Sequence, residues 1–87
     1  GMDEITKDEN VNLFYDQALR LLMLDFNYPV TEQVSVKIYN LTGQVMFRMQ
    51  ENLTSGRKNI NLGDFPKGLY MVEVTAGDER TVRKVIR

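Results

Sequence analysis

From Gln33 onward the hydrophobicity of this chain alternates with a period of two, and that pattern limits the fold more than any other feature. Val34, Val36 and Ile38 alternate with Ser35, Lys37 and Tyr39, which gives a strand one apolar face and one mixed face. Asn40-Leu41-Thr42-Gly43 reads as a turn, because Gly43 accepts the positive φ that tight strand connections often demand. Val45, Phe47 and Met49 then alternate with Met46, Arg48 and Gln50. The pair predicts a β-hairpin.

The pattern continues downstream. Asn52 to Asn59 is polar around Ser55-Gly56 and predicts a surface loop, followed by the short apolar pair Ile60 and Leu62. Phe65-Pro66-Lys67-Gly68 predicts a bend between strands, since Pro66 cannot donate to a ladder. Tyr70, Val72 and Val74 alternate with Met71, Glu73 and Thr75; Ala76 to Glu79 supplies a turn, and Thr81 to Ile86 a last strand. Composition agrees: Ala occurs only at Ala18 and Ala76, whereas Val, Ile and Thr, which pack well on pleated sheets, supply 19 of the 87 residues. A chain of this length builds one core and buries roughly 60% of its unfolded surface. We therefore expect an all-β antiparallel sandwich over residues 11–87, preceded by a flexible acidic arm at residues 1–10.

Two readings of residues 7–25 stay open. Thr6-x-x-Glu9 fits a capping box, and Val11, Phe14, Tyr15, Ala18, Leu21 and Leu22 recur at helical spacing, which suits a helix from about Lys7 to Leu24. Leu19, Leu21 and Met23 also alternate with Arg20, Leu22 and Leu24; a strand here would be central and covered on both faces. Pro29 ends whichever element precedes it.

The residues that are missing exclude much chemistry. Without histidine or cysteine there is no imidazole base, thiolate nucleophile, disulfide or thiolate zinc site. A net charge of −1 argues against a nucleic-acid surface. The longest apolar run, Leu21 to Leu24, is far short of the ~20 residues of a membrane helix. Gly1 before Met2 has the form of a protease scar, which leaves room for a leader or a larger upstream protein. Charge is unevenly placed: Asp3, Glu4, Asp8 and Glu9 against Lys7 make residues 1–10 acidic, while Arg80, Arg83, Lys84 and Arg87 make the other end basic. The acidic cluster lacks a calcium-loop pattern, and paired carboxylates in so small a chain have little room for a glycosidase cleft. Met46, Met49 and Met71 suit packing better than a soft-metal site.

Val34-Ser-Val-Lys-Ile-Tyr-Asn-Leu-Thr-Gly-Gln-Val45, Ile60-Asn-Leu62, Phe65-Pro-Lys-Gly-Leu-Tyr-Met-Val-Glu-Val74 and Arg83-Lys-Val-Ile-Arg87, in that order, resemble the C-terminal sorting domain of the Bacteroidetes type IX secretion system. Related small secreted Bacteroides β-sandwich proteins of unknown function share the pattern. The Pro-Asn-Pro signature that usually opens such domains is absent, and Val11 to Gln17 stands in its place. The resemblance implies an immunoglobulin-like sandwich of about seven strands. It also implies a secreted or cell-surface location in a Gram-negative bacterium, no catalytic residues and no cofactor or metal. The implied partners are an attached cargo domain and the secretion translocon, with Arg83, Lys84, Val85, Ile86 and Arg87 as the sorting signal. Tyr39, Gly43, Pro66, Gly68 and Tyr70 are the motif's scaffold positions. The alternative is a stand-alone module that binds a glycan or protein through loops such as Asn52 to Asn59.

Overall fold

A strand with one apolar face is stable only against a second apolar layer, so the alternation above requires two facing sheets. The computed structural model, which describes residues 11–26, 33–52 and 56–87, has that form. Its strands are β1 (Val11–Asp16), β2 (Leu21–Phe26), β3 (Val34–Tyr39), β4 (Val45–Glu51), β5 (Arg57–Asn61), β6 (Leu69–Ala76) and β7 (Glu79–Ile86). All pairings are antiparallel. One sheet has the order β1-β2-β5 and the other β4-β3-β6-β7. This is the arrangement of an immunoglobulin-like sandwich, with strands A, B and E facing C′, C, F and G.

The core lies between the sheets. Leu22, Leu24 and Phe26 of β2 meet Val34, Val36 and Ile38 of β3 and Val72 and Val74 of β6. Leu22, Leu24, Leu62, Val34, Val36, Ile38 and Val72 have no exposed surface. Burial of each such side chain contributes about 1.5–3 kcal/mol.

The helical reading of residues 7–24 is overturned over its described part, since β1 and β2 form a hairpin. The Asp16 carboxylate accepts hydrogen bonds from the Ala18 and Leu19 amides at 2.9 and 3.1 Å, offering the backbone a turn in place of a helix. Arg20 follows at φ 59°, a left-handed conformation that a right-handed helix cannot contain. Phe14 and Leu19, 62% and 60% exposed, do not share the core with Leu22. The strand reading also needs correction. β2 is central in its sheet, but Leu21, Met23 and Asp25 on its outer face are only half-buried. The acidic arm and Pro29 lie outside the described residues.

The β3–β4 hairpin forms where the pattern places it, with Asn40 at its centre. The Asn40 side-chain oxygen accepts from the Thr42 and Gln44 amides at 3.1 and 2.9 Å and from the Thr42 hydroxyl at 2.9 Å. Gly43 takes φ 86°. A register shift between Ile38 and Tyr39 pairs Tyr39 with Val45 and leaves Met46 as the extra residue. That bulge modifies the expected face: Val45 is 37% exposed, while Met46, Phe47 and Met49 pack against the core. The expected loop from Asn52 to Asn59 is shorter than its polarity suggests, because Arg57 to Asn59 pair with β2. Glu79 likewise opens β7 opposite Ala76 rather than sitting in the turn.

Candidate functional site

β1 and β7 are the edge strands on one side of the sandwich. Between them runs a groove of about 270 Å³, lined by Leu13, Tyr15 and Gln17 on one wall and Arg83, Lys84, Val85 and Ile86 on the other. Four of the five basic-tail residues therefore share one surface with the opposite sheet. Strand alternation divides their roles. Val85 is a core residue, 7% exposed, whereas Lys84 and Ile86 point to solvent. Arg83 is half-buried on the core-facing side.

Arg87 is the most constrained of the five. Its backbone N–H donates to the Gly68 carbonyl at 2.8 Å and its carbonyl accepts from the Gly68 amide at 3.2 Å, extending the β6–β7 ladder by one pair. Its guanidinium donates to the Leu62 carbonyl at 2.8 Å and the Gly63 carbonyl at 3.0 Å. The side chain thus ties β7 to the β5–β6 corner. It is as much a structural clamp as a charge that a partner could read.

The scaffold positions fall into two groups. Tyr70, buried at the start of β6, donates from its hydroxyl to the Pro66 carbonyl at 2.5 Å, and its ring meets Phe65 edge-on at 5.3 Å. This is the tyrosine corner of immunoglobulin-like sandwiches. Gly68, in the same corner, has φ 156°. Tyr39 lies on the outer face of the same sheet, beside Gly43's turn, and its hydroxyl donates to the Glu73 carboxylate at 3.0 Å. Arg80 also donates to Glu73. The hydrogen bond from Arg80, followed by that from Tyr39, holds the Glu73 carboxyl below its ordinary range, and the bond to Glu73 raises the Tyr39 hydroxyl above the usual phenol value.

Residues 19–87 match the family described as the secretion system C-terminal sorting domain. The chain belongs to that family. The matched span starts in the β1–β2 turn, so β1, where the Pro-Asn-Pro signature is missing, precedes it. A solved structure with the same fold is a DUF3244 family protein with an immunoglobulin-like β-sandwich from Bacteroides vulgatus ATCC 8482. It has a TM-score of 0.80 and 20% identity, covering 98% of this chain and 92% of that one. No curated protein matches.

Three features of this sorting domain escaped the sequence reading. Asn40 as the hairpin's hub had a signal, the Asn-x-x-Gly spacing, because an Asx side chain three residues before a left-handed glycine caps such turns. The pairing of Glu73 with Tyr39 and Arg80 had none, since it depends on which strands become neighbours. The anchoring of Arg87 on Leu62 and Gly63 joins positions far apart in the chain, and residue types alone do not disclose it.

Proposed function

We propose that this sorting domain is the export signal of a larger type IX cargo, secreted or displayed on the surface of a Gram-negative Bacteroidetes cell. In this reading the translocon recognises the β7 end, Arg83 to Arg87, while the attached cargo performs whatever chemistry the protein has. The domain itself is non-catalytic and uses no cofactor. The observation that carries the proposal is the placement of Arg83, Lys84, Val85 and Ile86 along one groove at an edge strand. An edge offers unpaired backbone groups for β-addition, and the flanking charges supply specificity. The alternative, a stand-alone glycan- or protein-binding module, relied on the segment from Asn52 to Asn59, and part of that segment is strand β5.

The test is a reporter fused ahead of the domain in a type IX-competent host. Replacing Arg83 and Lys84 by Ala, with the Arg87 clamp left in place, should leave the reporter in the periplasm. Secretion at the unaltered level would remove the proposal.

A further inference from the structure

A second concavity lies where the β1–β2 turn, the β5–β6 corner and the residue after β7 meet. Its volume is about 370 Å³, and it is lined by Tyr15, Gln17, Arg20, Lys67 and Arg87. Three of these five are cations and none is an acid. Among the described residues, the side chains of Arg20, Lys67, Tyr15 and Gln17 have no hydrogen-bond or ion-pair partner, and Arg87 bonds to neutral carbonyls alone. Its guanidinium is therefore oriented by neutral acceptors.

The same short piece of backbone organises both arginines. Leu62 and Gly63 present their carbonyls to Arg87, while the Leu62 amide donates to the Arg20 carbonyl at 2.8 Å. Arg20 holds this position with a left-handed backbone, and its Cδ would lie 3.8 Å from a Cβ added at Gly63. That is ordinary contact distance, so the Arg20 side chain packs beside the Gly63 backbone. Like charges gathered on a concave wall focus a positive field and concentrate anions there. Guanidinium forks match the geometry of oxyanions, and a lysine adds a point charge.

We propose that this concavity binds a phosphate-class oxyanion, either free or carried on a saccharide. Arg20 and Arg87 hold its oxygens, Lys67 adds charge, and the Tyr15 hydroxyl and Gln17 amide are available to neighbouring hydroxyl groups. The volume falls at the lower end of the range for small-molecule pockets, which leaves space beyond a bare ion. The site shares Arg87 with the export reading but takes Arg20 and Lys67 from outside residues 83–87, so variants at those two positions test it separately.

The experiment is an amide-resolved NMR titration of the 87-residue chain at low ionic strength, with inorganic phosphate, glucose 6-phosphate and neutral glucose as separate probes. Saturable shifts at Tyr15, Gln17, Lys67 and Arg87 are expected with the two anions and not with glucose. Arg20→Asn, which tolerates a left-handed backbone, and Lys67→Gln should each weaken binding about tenfold, the loss of one charge-assisted hydrogen bond. Tighter binding of glucose 6-phosphate identifies a saccharide-borne ligand, and equal affinities identify the free ion. Absence of saturable shifts, shifts spread evenly over exposed residues such as Arg48 and Arg57, or unchanged affinity in the double variant with its spectrum intact would overturn the proposal.

Discussion

The Tyr70 hydroxyl donates a hydrogen bond to the Pro66 carbonyl, tying the start of β6 to the bend that delivers it. Tyr70 is 4% exposed, so removing the hydroxyl leaves a carbonyl with no replacement donor from the protein. Tyr70→Phe keeps the edge-on contact with Phe65 and should cost about 1–2 kcal/mol. Tyr70→Ala also opens a cavity and should cost about 3–5 kcal/mol. Urea unfolding followed by circular dichroism checks both, and equal stabilities of the wild type and the Phe variant would show that the corner does not depend on this bond.

Gly43 supports a prediction about backbone alone. It has φ 86°, and a Cβ added there would meet nothing within 4 Å. Any cost of Gly43→Ala is therefore conformational and should be roughly 1–2 kcal/mol, whereas Gly43→Asn should cost less, because Asn visits the left-handed region more readily. Thermal unfolding of the two variants gives the comparison. Equal losses would point to a steric cause that the open space around Gly43 does not offer.

The strands most legible in the sequence were those whose two faces differ. Val34 to Tyr39 alternates without exception, and β3 has the expected ends. β1 and β2 were ambiguous because apolar residues stand on both faces, so Leu21, Leu22, Met23 and Leu24 satisfy two periods at once. The choice between them was made by the Asp16 turn and by tertiary pairing of β2 with β5, which local pattern does not encode. β5 was hidden for a related reason. Arg57, Lys58 and Asn59 read as loop, yet a strand needs only backbone partners: Arg57 and Asn59 stay on the solvent face, and half-buried Lys58, on the face of Ile60, carries its ammonium out to the Glu51 carboxylate. For the candidate site, the basic tail was visible as charge, but its division into core, clamp and exposed positions required the β6–β7 register.

The Tyr39–Glu73–Arg80 cluster should produce opposite effects at the two ends of the pH range. Glu73 has a lowered pKa in the folded protein, so its contribution is present above the ordinary carboxylate value and is lost as pH falls through the folded value. Tyr39 has a raised pKa, so its contribution is present below the usual phenol value and is lost as pH rises through the raised one. The stability difference between wild type and Glu73→Gln should shrink toward acid, and that between wild type and Tyr39→Phe should shrink toward alkali. Denaturant midpoints measured across pH test this, and pH-independent differences would contradict it.

The division of roles along the end of β7 separates recognition from folding. Lys84 is exposed and Ile86 is 67% exposed, so Lys84→Ala and Ile86→Ala should change stability by no more than about 0.5 kcal/mol. Arg87→Ala strips the Leu62 and Gly63 carbonyls of their donor and should cost about 1–2 kcal/mol, and Val85→Ala empties part of the core at a cost of about 2 kcal/mol. Export loss in the Arg87 or Val85 variant is therefore ambiguous between misfolding and lost recognition, whereas loss in the Lys84 or Ile86 variant is not. Reporter secretion and thermal unfolding should be measured on the same four variants. The expected result is reduced secretion with unchanged unfolding for Lys84→Ala and Ile86→Ala. Secretion that follows stability alone across the series would mean that the machinery senses a folded sandwich and does not read the side chains of β7.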